Sequence, residues 1–186
     1  MTAAARDDAR FRHLGDRLIH QGSVVSFYEG TFESPDGERF HRDVVRHPGA
    51  VSVVPVDGDE VILVRQYRAP IDQLLLEIPA GKRDVEGEDP AVTASRELAE
   101  EIGMAAGSLQ PLLSMHHSPG FCDEYQHIYL ATDLREVPQA RDGIEEQHLT
   151  IERLPFEVAV AQCCDGTITD AKTIVGILAA ARRLGR

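Results

Sequence analysis

Asp89-Pro90-Ala91-Val92-Thr93-Ala94-Ser95-Arg96-Glu97-Leu98-Ala99-Glu100-Glu101-Ile102-Gly103 is the stretch from which the rest of this 186-residue chain is read. Asp89 is a residue type that caps a helix, Pro90 sits where a first helical residue needs no N–H, and Gly103 follows the last turn as a stop. A helix over 90–102 is the expectation. Within it Ala91, Ala94, Leu98 and Ile102 form an apolar stripe that can pack on a sheet. At about 100° per residue, Glu97, Glu100 and Glu101 share an arc of roughly 100° beside that stripe. Arg96 lies one turn before Glu100 and is placed to orient it.

Carboxylates four residues apart repel by a few tenths of a kcal/mol in an isolated helix, so the cluster is a local loss unless a cation offsets it. Hard oxygen ligands suit Mg²⁺ or Mn²⁺, which keep several waters and bridge to substrate phosphates. A bare Glu-x-x-Glu-Glu is most often a solvated acidic face, so its surroundings decide.

Outward from the helix, strands alternate with turns. Residues 1–20 are charged and read as partly disordered; 24–32 and 38–47 read as strands parted by Ser34-Pro35-Asp36-Gly37. Val-rich runs at 50–55 and 60–67 flank Asp57-Gly58-Asp59, a hairpin signal. A short strand at 74–79 leads through Ala80-Gly81 into a polar loop, 82–88. Beyond the helix, 109–117, 124–130 and 148–154 read as strands, and 156–164 and 170–184 as helices. Strands first and helices last point to a mixed α/β fold with a mixed or antiparallel sheet.

Composition excludes several functions. A formal charge of −12 without a Lys/Arg run argues against nucleic-acid binding. Cys122, Cys163 and Cys164 give no disulfide framework, which suits a reducing cytoplasm. No segment approaches the ~18 apolar residues of a membrane span, and the first residues lack a signal peptide's apolar centre. His116 and His117 are adjacent on a strand, face opposite ways and do not chelate one zinc ion. Cys122 has no partner at a nucleophile's spacing.

Gly81, Glu88, Arg96-Glu97, Leu98, Glu100-Glu101, Gly103 and Met104 together resemble the Nudix box, Gly-x5-Glu-x7-Arg-Glu-U-x-Glu-Glu-x-Gly-U, where U is aliphatic. From Glu88 onward the register agrees; six residues rather than five separate Gly81 from Glu88, an insertion the polar loop absorbs with its own Gly87. The resemblance implies an α/β/α sandwich around a mixed sheet, with an N-terminal β-strand extension. It implies Glu97 and Glu101 as principal metal ligands, Glu100 as assistant, the Ala80 carbonyl as a further ligand, and a structural role for Gly81, Glu88 and Arg96. The implied cofactor is Mg²⁺ (or Mn²⁺).

Two further stretches are similar to the ADP-ribose pyrophosphatases of that family. Ser118-Pro119-Gly120-Phe121-Cys122-Asp123-Glu124 matches their Ser-Pro-Gly-x-x-x-Glu, and Arg65-Gln66-Tyr67-Arg68 with Glu77-Ile78-Pro79-Ala80-Gly81 resembles their strand ends. The resemblance implies substrate binding by Arg65, Arg68, Glu77, Pro119, Gly120, Phe121 and Glu124. It also implies a general base or extra ligand from a late acidic loop, here Glu145 or Glu146. Phe121, Tyr28 and Phe27 are available to stack on an adenine, although strand aromatics are more often core. The expected organisation is residues 1–47 as a dimer-forming extension and 48–186 as the catalytic domain. A homodimer exchanging N-terminal strands is implied, as is a small-molecule nucleotide-sugar substrate.

The expected reaction is hydrolysis of ADP-ribose to AMP and ribose 5-phosphate, or of a related nucleoside diphosphate sugar to a nucleoside monophosphate and a sugar phosphate. Other sugar nucleotides such as GDP-mannose or ADP-glucose remain alternatives, as does a damaged nucleoside triphosphate, against which the Ser-Pro-Gly stretch argues. A silent ADP-ribose-binding regulatory module is the alternative of another class. Such modules tend to lose metal ligands and carry a DNA-binding winged helix, whereas Glu97, Glu100 and Glu101 are all present here and no basic helix-turn-helix follows.

Overall fold

In the computed structural model, residues 10–139 and 144–186 are described, apart from the side chains of 144 and 145. They form two compact units, one of residues 10–48 with 116–124, the other of 49–115 with the described part of 125–186.

The first unit is an antiparallel sheet of β1 (Arg12–Gln21), β2 (Ser26–Glu33) and β3 (Arg39–Arg46) in that order. The β2–β3 turn is the expected one: Ser34 Oγ accepts from the Glu38 N–H at 3.1 Å, and Gly37 takes a φ of 84°. β1 departs from expectation, since residues 1–20 read as partly disordered. Its residues are exposed throughout and show no apolar alternation. What fixes it is pairing with β2, including Arg12–Glu33 and Arg17–Glu29 ion pairs, and a single sequence does not disclose such partners.

The second unit is built on a seven-stranded sheet. Its strands are β4 (Ala50–Asp57), β5 (Glu60–Arg68), β6 (Gln73–Glu77), β7 (Ala80–Lys82), β8 (Met104–His116), β9 (Tyr125–Glu136) and β10 (Thr150–Pro155). The path β10-β5-β4-β9-β8 carries β6 on β5 and β7 on β4. β4 and β9 run parallel while β5 is antiparallel to β4, β6 and β10, so the sheet is mixed as expected.

Alternation along the central strands sorts the core into two faces. Val51, Val53, Ile62, Val64, Tyr129 and Ala131 meet Ala94, Leu98 and Ile102 of α1 (Pro90–Ile102). Val54, Val56, Val61, Leu63, Ile128 and Leu130 meet Phe156 and Ala159 of α3 (Phe156–Asp165) and Ile177, Ala180 and Ala181 of α4 (Ala171–Leu184). One helix on one face and two on the other make the α/β/α sandwich that the resemblance implied. A short helix α2 (Ile144–Gln147) and the three-residue β7 were not expected; both are too short to leave a periodic signal. Among the described residues, no helix is long and apolar enough to cross a membrane.

Candidate active site

The chemistry gathers where α1 passes over the β6–β7 connection. Asp89 caps α1 by accepting from the Ala91 N–H at 2.8 Å, and Gly103 closes it at a φ of 67° with its N–H on the Ala99 carbonyl. The ends of α1 are those its caps predict. This fixes the helix phase: as Leu98 enters the core, Glu97 and Glu101 are carried under cover beside it, 6% and 2% exposed. Glu100 stays at the half-buried rim.

Two backbone features of the connection receive the buried carboxylates. The Ala80 N–H donates to Glu101 Oε2 at 3.0 Å. Gly81 leaves space for Glu97: a Cβ on residue 81 would stand 1.9 Å from Glu97 Cδ, far inside contact distance. That glycine is required by close approach rather than by a left-handed backbone.

Arg96 ties the rim together. Its Nη1 lies 2.9 Å from both Glu97 Oε1 and Glu100 Oε2, and its Nη2 stands 4.0 Å from Glu88 Oε2. Glu88 in turn accepts from Thr93 Oγ1 at 2.7 Å, which binds the loop to the first turn of α1. The six-residue spacer is taken up by a turn in which the Glu88 N–H donates to the Val85 carbonyl and Gly87 has a φ of 78°.

Burial raises the Glu97 carboxyl to about 7, against the lowering pull of Arg96 and with Glu100 and Glu146 adding to the rise. Burial also raises Glu101, to about 8; the Ala80 N–H and Lys172 oppose it, and Glu97 and Glu146 reinforce it. Two buried, mutually repelling carboxylates, seated on a peptide N–H and a glycine that makes room for one of them, are a hard-oxygen donor set that fits a divalent cation. Among the described residues, no three His, Cys, Asp or Glu side chains already converge as ligands of one ion. Glu97 and Glu100 each give an oxygen to Arg96 instead.

The remaining expected site residues divide. Glu146, on α2, is near enough to add to the rise of both Glu97 and Glu101; the side chain of Glu145 lies outside the described residues. Arg65 forks onto Glu152 at 2.5 and 3.1 Å across the β5–β10 pair. Arg68 forks onto Glu77 at 2.7 and 2.5 Å, and Glu77, only 1% exposed, also accepts from Lys172. Pro119, Gly120, Phe121 and Glu124 sit in the first unit. There the Val45 N–H donates to the Phe121 carbonyl at 2.7 Å, and Asp123 pairs with Arg46 at 3.1 Å while accepting from the His47 N–H at 2.8 Å. Phe121 is 57% exposed. Sequence reasoning missed Lys172, Asp170, Arg46 and Asp123; only Asp170 carried a signal, as a residue type suited to cap α4.

The match to known proteins is extensive. Residues 46–170 match the family model described as the NUDIX domain. The chain is 38% identical to an ADP-ribose pyrophosphatase of Bacillus subtilis, over 88% of this chain and 89% of that one. It is 37% identical to an ADP-ribose pyrophosphatase of Mycobacterium tuberculosis, over 91% and 82% respectively. A methanol dehydrogenase activator of Bacillus methanolicus is 38% identical over 86% of each chain. A solved structure titled as that of an ADP compounds hydrolase superposes with a TM-score of 0.81 at 23% identity, covering 95% of both chains. At that identity the superposition speaks for the fold, while the family model and the sequence relatives carry the assignment: this chain belongs to the Nudix family.

Proposed function

We propose that the chain hydrolyses the pyrophosphate of ADP-ribose to AMP and ribose 5-phosphate, or that of a related nucleoside diphosphate sugar to a nucleoside monophosphate and a sugar phosphate, with Mg²⁺ (or Mn²⁺) as cofactor. The observation that carries this reading is the buried Glu97–Glu101 pair seated on the Gly81 Cα and the Ala80 N–H. Two relatives that match most of the chain are named ADP-ribose pyrophosphatases, which supports the substrate. Nudix hydrolases generally need divalent metal ions, and an acidic protein acting on a diphosphate needs a cation between the two.

Glu97 and Glu101 would be the principal ligands, with Glu100 assisting and the Ala80 carbonyl joining. When bound, a divalent cation neutralises the diphosphate and lowers the pKa of a coordinated water. The chain's own residues do the rest. α1 holds Glu97 and Glu101 in fixed phase, the Ala80 N–H engages one Glu101 oxygen, and Arg96 steadies Glu97 and Glu100 from outside. Glu146, or Glu145 beside it, would take the proton of the attacking water. One water adds across the P–O–P bridge, giving two phosphomonoesters. Arg68, Pro119, Gly120, Phe121 and Glu124 would contact the substrate. Arg65 and Glu77 would act through the ion pairs that hold them.

The strand extension 1–47 would pair two copies of the chain, leaving 48–186 as the catalytic domain. An exposed β1 with Leu14, Leu18 and Ile19 on view supports a homodimer. Three free cysteines suit a cytoplasmic location.

The test is to incubate purified protein with ADP-ribose, with and without Mg²⁺, and to resolve the products by ion-exchange chromatography. AMP and ribose 5-phosphate should appear only with metal. No turnover of ADP-ribose, with turnover of GDP-mannose or ADP-glucose, would move the substrate within the class. No turnover of any would leave an ADP-ribose-binding module.

A further inference from the structure

Glu77 to Gly81 is five consecutive residues, and each meets an element other than its own, β5, α4, β4 or α1. The Glu77 carboxylate receives Arg68 from β5 and Lys172 from α4. The Ile78 N–H donates to Thr173 Oγ1 of α4 at 2.9 Å. The Pro79 carbonyl accepts from the Val53 N–H of β4 at 2.9 Å. The Ala80 N–H holds Glu101, and Gly81 lies under Glu97. The first two ties come largely from the first turn of α4, which begins just past the residues matched by the family model.

That turn is built for the task. Asp170 Oδ2 accepts from the Thr173 N–H at 3.0 Å and from its hydroxyl at 2.6 Å, while Oδ1 accepts from Lys172 Nζ at 2.9 Å. A hydroxyl has one hydrogen, so by donating to Asp170 Thr173 leaves its lone pairs for the Ile78 N–H. The bonds run in one direction, from Ile78 through Thr173 to a carboxylate, and such chains polarise in the same sense. Lys172 then joins that carboxylate to Glu77, with Lys172 itself 7% exposed. A lysine is buried so deeply only when paired. One turn on, Gly176 lets α4 approach closely: a Cβ there would stand 3.0 Å from Ile78 Cδ1.

An ion pair that merely pins a helix to a sheet would not need to end on this segment. Only Ile78 and Pro79 separate Glu77 from Ala80, and at Gly81 the clearance to Glu97 is too small for even a methyl group. A displacement at Glu77 is therefore passed to the two carboxylates that the proposed function makes metal ligands. We propose that Lys172 and Asp170 are positioning residues, which hold the Glu77–Gly81 segment in the place where the Ala80 N–H and the Gly81 Cα fix Glu101 and Glu97 for a divalent cation. This rests on the metal-ligand reading given above.

The test measures Mn²⁺ binding to the full, substrate-free chain by electron paramagnetic resonance, beside urea unfolding of the same samples. Lys172→Met should weaken Mn²⁺ binding about 10-fold, the lower range for loss of a ligand's supporting partner. Lys172→Arg, which keeps the charge, should recover most of that loss. A folded K172M protein that binds Mn²⁺ as tightly as wild type would overturn the proposal, even if it unfolds at lower urea. Should K172M fail to fold, Asp170→Asn replaces it. Asparagine still caps the helix but loses the charge facing Lys172, so weaker Mn²⁺ binding supports the proposal and unchanged binding overturns it. If wild type itself binds no Mn²⁺, the metal-ligand reading has failed, a result distinct from wild-type binding that the variants leave intact.

Discussion

The carboxylate of Glu97 lies where a side chain on residue 81 would begin, with 1.9 Å between Glu97 Cδ and the position of a Cβ on Gly81. Gly81→Ala therefore forces one of them to move. Glu97 is the mobile partner, being the end of a flexible side chain, whereas residue 81 is held in β7 against β4. The fold should survive with a loss of about 1–2 kcal/mol, as for modest overpacking. Activity should not: a misplacement of about 1 Å in a positioning group costs on the order of 100-fold. A G81A protein with near-normal urea unfolding and wild-type kcat/KM would show that Glu97 need not sit on the Gly81 Cα.

Burial of Glu97 and Glu101 gives metal-free stability a definite pH slope. Both are raised in the folded chain, to about 7 and about 8, above the ordinary 4.5. A carboxyl whose folded pKa is raised contributes stability that is full below the unfolded value and is lost as pH rises through the folded one. In chelator, Tm should therefore fall between about pH 4.5 and 8 relative to an E97Q/E101Q double variant, which cannot titrate there. Mg²⁺ should reverse the fall most strongly at the alkaline end, since ligands must be deprotonated to bind. Equal pH profiles for wild type and double variant in chelator would contradict the burial.

Glu101→Gln removes a charge at nearly constant shape, and its folded-state cost is small because the wild-type carboxyl at neutral pH is already largely protonated without metal. Turnover of ADP-ribose should drop more than about 100-fold, beyond what outer-shell partners give. Thermal unfolding in chelator should lie above the wild-type value at pH 7, because the wild-type carboxyl gives up a proton on unfolding and the variant has none to give, and Mg²⁺ should no longer raise it. Wild-type rates in E101Q would remove Glu101 from the ligand set.

The ends of α1 were legible because Asp89, Pro90 and Gly103 act locally, and a local signal survives in one sequence. A mixed α/β fold was legible from the order of strands and helices, and the sandwich from the family resemblance that the same helix carries. What sequence could not display was burial of the acidic face: Glu97 and Glu101 are covered only because Gly81 and the Ala80 N–H approach from a strand that is three residues long. Lys172 was invisible for a related reason. Its partner Glu77 is ninety-five residues away, and a lysine in an amphipathic helix reads as surface until that partner is known. Arg65 and Glu77 show the opposite limit, since a strand-end motif marks their positions but not the ion pairs that occupy them.

Asp123 offers a last test, confined to the first unit. It joins β3 to the segment after Ser118 twice over, by an ion pair with Arg46 and by accepting the His47 N–H. Arg46 also pairs with Asp16 on β1, so one guanidinium links β1, β3 and the segment that carries Phe121. Over a third of both Arg46 and Asp123 is exposed, so screening limits the ion pair to under about 1 kcal/mol, and the bond to the backbone adds about as much. Asp123→Ala should leave the global unfolding midpoint little changed while loosening the Ser118–Glu124 segment, seen as faster hydrogen exchange at Phe121 and Cys122. If Pro119, Gly120 and Phe121 meet substrate, KM for ADP-ribose should rise about 10-fold, the factor that 1.4 kcal/mol gives, with kcat held within about 2-fold. A fall in kcat at constant KM would instead mean that the segment orients the reacting groups, and unchanged kinetics with faster exchange would take Pro119, Gly120 and Phe121 out of the substrate site.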